Sequence, residues 1–420
     1  MSVRSPQIIE LTEYVPEFLT RTLLPDVVGE MLWRNYNLQV RVDFPSPKTN
    51  DNWRLTGQGW VGHIPLNPDF HIVLRPKVEL GNLLRMLEYA YDLKSFRLLT
   101  GLVDCQTLLE FYERLADILA RGILKRSRQG FYSAYTPKTK LLPYVRGRID
   151  VRQMVNRPWD NQVQCHFEEH TADVEENQIL AWTLWCIAHS GLCTERVMPT
   201  VRRAYHLLQG IVTLQPCDSR NCRERQYNRL NEDYRPLHAL CRFFLEQIAP
   251  SHEIGANATL PFLVNMSQLY ERFVAEWLKA HRQTLLLPQE LDIQSQERIY
   301  LIQDKALYLD IDLVFYNTTT GVTKYVLDTK YKAAARPAIT DIYQIVTYAE
   351  AKSCQEAFLV YPMPLAEPLN IKVGNIQIRS LTFSLAGDLE KAGYRFLQDL
   401  LGTDVLSGNL MCSIDMVPDY

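Results

Sequence analysis

Between Tyr308 and Lys332 the chain reads YLDIDLVFYNTTTGVTKYVLDTKYK, two apolar runs joined by a turn, each interrupted by charge. Successive side chains on a strand face opposite ways, so Asp328 and Lys330 share one face of the second run while Leu327, Thr329 and Tyr331 take the other. On the first run Asp310 and Asp312 point the same way. Charge on a core-forming strand is costly unless it is paired or binds a cation. The segment therefore reads as two adjacent strands that carry a polar site. Two carboxylates can hold Mg²⁺ through oxygen ligands, and the ion can polarise a phosphoryl oxygen and acidify water. A neighbouring ammonium can orient the nucleophile or offset transition-state charge. These residue types fit phosphodiester hydrolysis.

Context separates this acid-x-Lys triplet from two others. Asp92-Leu93-Lys94 and Glu350-Ala351-Lys352 lie in helical patterns, where they read as solvated faces. Upstream of the strands, Asn265 to Ala280 carries a helical apolar stripe with Glu271 beside it. Downstream, Asp341-Ile342-Tyr343-Gln344 continues to Tyr348, placing Gln344 and Tyr348 one turn apart on one helix face. The expected order is helix, strand, strand, helix.

On these residues the chain resembles the PD-(D/E)xK nucleases, and more closely the McrC family, the nuclease subunit of modification-dependent restriction systems. The resemblance extends to GWVGHIPL (59–66), IVLRPKVELGNLLRMLEYAYD (72–92), YVRGRID (144–150), Asn177 within DVEENQIL, LVNMSQLYERFV, DIDLVF, VLDTKYK and DIYQIVTY. It implies that Asp312 and Asp328 are the catalytic, metal-holding acids, Lys330 the catalytic lysine and Glu271 a further acid at the metal. Gln344 and Tyr348 match a supporting Q-x₃-Y motif. Ile311 stands where the family has proline, and Asp310 could share the metal. The resemblance also implies Mg²⁺ as cofactor, double-stranded DNA as substrate and a separate AAA+ GTPase ring as partner. That ring binds GTP and recognises modified cytosine. Consistent with this division, no G-x-x-x-x-G-K-[ST] loop occurs in the chain.

At 420 residues and 48.8 kDa the chain can bury two or three cores. A net charge of −3 is a poor match for a protein that grips DNA unaided, since phosphate neutralisation needs clustered Lys and Arg. One local cluster exists: Arg121, Lys125, Arg126 and Arg128, then Lys138, Lys140, Arg146, Arg148 and Arg152, interleaved with aromatics. It reads either as a solvated face or as a DNA or partner contact, with Arg126, Arg128, Arg146 and Arg148 foremost. The nine cysteines include no C-x-x-C pair and read as reduced thiols. Nothing in the sequence resembles a signal peptide or membrane span, which makes a cytoplasmic location the expectation.

His166-Phe167-Glu168-Glu169-His170 fits the spacing of inverted zinc peptidases. It precedes Thr171-Ala172-Asp173, which reads as a cap for a helix at 175–192, so it is expected in a strand or connection where the two His do not converge. Periodicity divides the chain into an α+β N-terminal region (1–155), a helical middle (156–257) and a C-terminal α/β region with a mixed central sheet (258–420). The resemblance implies that the last is the PD-(D/E)xK domain and that the first, which lacks a catalytic constellation, serves partner docking. The expected function is that of a Mg²⁺-dependent DNA endonuclease subunit that also stimulates its GTPase. The alternatives are a free-standing repair or recombination nuclease and a non-catalytic assembly subunit.

Overall fold

In the computed structural model the two apolar runs do form neighbouring strands. The structure describes residues 6–93, 105, 107–149, 151, 161–223, 225–247, 260–282, 291–302, 305–332 and 334–402. Lys94, Asp150 and Arg152, which figured in the sequence reading, lie outside the described residues. Among the described residues no helix is long and apolar enough to cross a membrane.

The chain forms two compact units, residues 1–90 with 263–420, and residues 91–262. This differs from the three consecutive regions expected from periodicity. The physical reason lies in contacts between the first 90 residues and the C-terminal segment. Asn82 Nδ2 donates to the carbonyls of Leu385 and Gly387, both at 2.9 Å, closing a helix onto a turn some 300 positions away. The Tyr89 hydroxyl donates to Glu390, and Tyr331 donates to Glu13 Oε2 at 3.1 Å.

The first unit holds a six-stranded mixed sheet. Its strands are β1 (Leu291–Tyr300), β2 (Tyr308–Asn317), β3 (Thr323–Thr329), β4 (Glu356–Tyr361), β5 (Asn370–Val373) and β6 (Ile376–Thr382), in the order β1-β2-β3-β4-β6-β5. β1 pairs antiparallel with β2 and β2 with β3, β3 pairs parallel with β4 and β4 with β6, and β5 pairs antiparallel with β6. A parallel step needs a crossover, and helix α2 (Ile339–Ala351) supplies the one between β3 and β4. Its Ile345, Tyr348 and Ala349 pack on Val314, Val326 and Leu359 of the sheet. Helix α1 (Met266–Ala280) is capped by Asn265, whose side chain accepts from the N–H groups of Ser267 and Gln268. The expected helix, strand, strand, helix order lacked β1, whose polar alternation QSQER gave little apolar signal.

The N-terminal part of this unit contributes a sheet ordered Gln7–Thr12, Phe70–Arg75, Trp60–Asn67, Phe262–Asn265 and a smaller antiparallel one of Pro16–Leu19, Trp53–Gly57 and Val40–Asp43. Trp53 anchors their shared core. The second unit combines helices Leu108–Gln129, Glu175–His189, Met198–Gln209 and Tyr234–Gln247 with a ribbon of Ala134–Leu142, Val163–Thr171 and Arg148–Ile149. Buried Asn177 ties it together, donating to the carbonyls of Tyr132 and Ala172 and accepting from the Tyr234 hydroxyl. His166–His170 lies in the ribbon strand Val163–Thr171, where i and i+4 are far apart along the chain direction, as the sequence reading expected.

Helix α3 (Leu389–Leu401) approaches α1 so closely that a Cβ on Gly393 would lie 2.2 Å from the buried Trp277 ring. Gly393→Ala should therefore destabilise the protein by about 1–3 kcal/mol through overpacking. Gly81→Ala, whose Cβ meets nothing within 4 Å, should be neutral or stabilising by up to about 1 kcal/mol. Denaturant unfolding of the two variants checks the contrast.

Candidate metal centre

The last ladder pair of β2 and β3 is Leu313 opposite Leu327. One step outward on each strand stand Asp312 and Asp328, on the face covered by α2. Asp328 is 1% exposed, and Lys330 Nζ lies 2.6 Å from its Oδ2. That ammonium is the ionic partner of the buried oxygen and favours its charged form. Lys330 also donates to Gln344 Oε1 at 2.9 Å, and Gln344 Nε2 donates to the Tyr348 hydroxyl at 2.7 Å. The i, i+4 pairing expected on α2 is thus observed, and it ends on the lysine.

Asp312 is held differently. Its Oδ2 accepts from both the backbone N–H and the hydroxyl of Thr329, each at 2.7 Å. Strict alternation had put Thr329 on the opposite face. It is the last residue of β3, where the pleat gives out, and its short hydroxyl reaches around to the acid. Glu271 accepts from Gln296 Nε2 at 3.3 Å. Gln296 has φ 53°, a left-handed kink in β1 level with Asp312. Sequence reasoning had no means to find Gln296, because a kink in a polar edge strand leaves no periodic signal.

The electrostatics record a crowd of acids. Burial, then the charge of Asp312, pushes Asp328 up to about 7 against the pull of Lys330. The same two causes push Glu271 up to about 7. Burial also raises Asp312, opposed by the Thr329 hydrogen bonds. Lys330 is raised despite burial, because Asp328 and Asp312 favour its charge. Asp341, another buried acid, adds to the field at Asp328 and is paired with Lys332 at 2.8 Å.

These oxygens suit a hard divalent cation: two facing carboxylates and a third acid within their field. Among the described residues, however, no three His, Cys, Asp or Glu side chains converge as a preassembled ligand set. Asp312 and Asp328 are brought together, while Glu271 is a neighbour by its charge. Asp310 is engaged elsewhere, in a two-pronged pair with Arg298 at 2.6 and 2.8 Å.

In the second unit, Arg126 is largely committed to its own surroundings. It lies 3.3 Å from Asp233, donates to the Leu230 carbonyl and stacks over Tyr234. Arg146 stacks on Phe167 with its centre 4.1 Å from the ring centroid and lies 3.6 Å from Glu169. Arg128 and Arg148 are exposed.

The chain is 24% identical over 253 residues to the type IV methyl-directed restriction enzyme EcoKMcrBC of Escherichia coli (strain K12), covering 57% of this chain and 67% of that protein. Its fold is similar to a chain in a half-complex from a tetradecameric assembly of Thermococcus gammatolerans McrB AAA+ hexamers with bound McrC. The TM-score is 0.52 at 16% identity, covering 94% of this chain and 100% of the other. Residues 55–362 match the family described as McrBC 5-methylcytosine restriction system component, spanning both compact units, and the chain belongs to that family.

Proposed function

We propose that the chain is the Mg²⁺-dependent endonuclease subunit of a GTP-driven, cytoplasmic restriction complex. It would cleave DNA containing modified cytosine and stimulate a separate AAA+ GTPase. The observation that carries this reading is the convergence of Asp312, Asp328 and Lys330 at one end of a mixed sheet, two carboxylates sharing one ammonium. That set has the acid, acid, lysine order of a PD-(D/E)xK nuclease, and the α2 crossover between parallel strands supports the assignment.

Mg²⁺ held by Asp312 and Asp328, with Glu271 beside them, would supply Lewis acidity toward a phosphodiester. The chain's own groups do the rest. Thr329 fixes the Asp312 carboxylate. Lys330, drawn between Asp328 and Gln344, is positioned to orient the attacking water and to offset charge growing on the phosphate. Tyr348 orients Gln344. Asp310, occupied by Arg298, serves as support rather than as a ligand.

The partner follows from the relatives. The Thermococcus assembly joins McrC to McrB AAA+ hexamers, and the Escherichia relative is a methyl-directed restriction enzyme. A chain of net charge −3 without a nucleotide-binding loop fits DNA delivery by such a ring. Exposed Arg128 and Arg148 are the better candidates for DNA or partner contact from the basic cluster. A complete acid and lysine set disfavours a non-catalytic assembly subunit. The acidic balance disfavours a free-standing repair nuclease.

Asp328→Ala and Lys330→Ala should each lower cleavage of methylated plasmid, with partner, GTP and Mg²⁺, by about 10²-fold or more. The Asp328→Ala protein should still stimulate GTP hydrolysis. Wild-type cleavage by either variant would remove the assignment.

Stability should also report on the site. Asp328 and Glu271 have folded-state pKa values raised to about 7 from 3.8 and 4.5, so the protonated forms favour the fold. In chelator, that contribution is fully present below the unfolded values and is lost as pH rises through about 7. Mg²⁺ should raise Tm most on the alkaline side of that window, and Asp328→Asn should reduce both effects. Thermal melts across pH, with and without Mg²⁺, make the measurement; a Mg²⁺ effect independent of Asp328 would count against the site.

A further inference from the structure

A groove of about 240 Å³ opens in the same compact unit as the acid cluster; Tyr14, Lys77, Glu79, Tyr331, Lys332 and Met363 are among its walls, and the rest of the lining is apolar. It begins where the metal centre ends. Tyr331 and Lys332 directly follow Lys330, and the Lys332 N–H donates to the Lys330 carbonyl at 2.9 Å. Lys332 also pairs with Asp341, whose charge is felt at Asp328 and Lys330.

Both walls are fixed by one buried carboxylate. Glu13, 1% exposed, accepts from the Tyr331 hydroxyl at 3.1 Å and from the Lys77 backbone N–H at 3.0 Å through its Oε2. Its Oε1 is buried without a hydrogen-bond partner. Next to it, Tyr14 adopts φ 57°, a left-handed conformation unusual for a bulky residue, and its ring carries the Lys77 ammonium at 5.6 Å from the centroid. Backbone strain held in place by surrounding structure is a recurrent mark of a binding surface.

The lining chemistry narrows the occupant. Two ammoniums suit phosphates, two phenol rings suit a planar base, and an exposed Met363 adds an adaptable apolar contact. An inorganic anion would leave the rings unused, and an aliphatic ligand would leave the lysines unused. A nucleotide uses both. Glu79 adds an acceptor of the kind that pairs with an exocyclic amine.

We propose that this groove receives the DNA nucleotide adjoining the scissile phosphate, its base lodged against Tyr14 and Tyr331 and its phosphates met by Lys77 and Lys332. The assignment rests on the nuclease reading of the neighbouring acids. It makes the groove a positioning surface that holds the strand in register with Asp312, Asp328 and Lys330.

The test uses the full chain with its AAA+ partner, GTP and methylated duplex DNA substituted with 5-iododeoxyuridine, whose photochemistry marks stacked aromatic rings. Asp328→Ala protein keeps the DNA intact during irradiation, and mass spectrometry maps the adducts. Adducts at Tyr14 or Tyr331 are expected, and adducts confined to other segments would overturn the proposal. An excess of free deoxynucleoside monophosphate should not suppress them. Equal suppression at equal nucleotide concentration would make the occupant a free nucleotide and overturn the strand-bound assignment. In the catalytically intact background, Tyr14→Ala and Lys77→Ala should lower cleavage about tenfold with the partner's GTP hydrolysis unchanged, while Tyr14→Phe keeps cleavage. Unaltered cleavage in both alanine variants, shown folded by thermal melting, would sink the positioning role. If instead Asp328→Ala cleaves like wild type, the nuclease reading fails, and the adduct map still reports on the groove.

Discussion

Asp328 is almost wholly enclosed, faces a second carboxylate across the strand pair and has the Lys330 ammonium 2.6 Å away. Most of what distinguishes this sheet end follows from that contact. A buried ion pair seldom repays its desolvation, and removing one partner leaves the other stranded. Here the pair does not close on itself. The lysine also donates to Gln344, Gln344 is held by Tyr348, and the charge of Asp312 stands beside Asp328. Two carboxylates thus share one ammonium, an excess of negative charge that a cation would balance.

The opposite treatment of Asp312 makes sense in the same terms. Thr329 gives it two hydrogen bonds, which favour the charged form and fix its direction without adding a competing cation. The site thus contains one acid held rigidly by neutral donors and one balanced by a lysine. Like charges in a poorly solvated place compete with the fold, and the surrounding core of Val314, Val326, Ile345, Ala349 and Leu359 is what keeps them there.

Much of this was legible in the sequence because the signals were periodic. Asp328 and Lys330 share a face through the two-residue repeat of a strand, and Gln344 and Tyr348 meet through the four-residue step of a helix. The helices at Glu175–His189, Met198–Gln209 and Tyr234–Gln247 announced themselves in the same way. What escaped the sequence was non-periodic or distant. Thr329 reaches Asp312 because a strand ends there, and Gln296 depends on a left-handed kink. Asp310 shares parity with Asp312 but is taken by Arg298 from the next strand, a pairing decided by register. The division into units escaped for a related reason: composition along the chain does not reveal that residues 1–90 belong with residues 263–420.

That discontinuity bears on how the protein comes into being. The Asn82 side chain waits for carbonyls 303 and 305 positions later, and Tyr331 reaches back 318 positions to Glu13. Contacts this far apart in sequence close late, because the intervening chain must be ordered or at least accommodated first. During vectorial synthesis the inserted unit, residues 91–262, is complete before the partner segments of the first 90 residues have left the ribosome. Until then the apolar strands Gln7–Thr12 and Phe70–Arg75 lack the C-terminal half of their unit. Asp312 and Asp328 both lie in the stretch made after the inserted unit, so a chain interrupted before it carries neither acid.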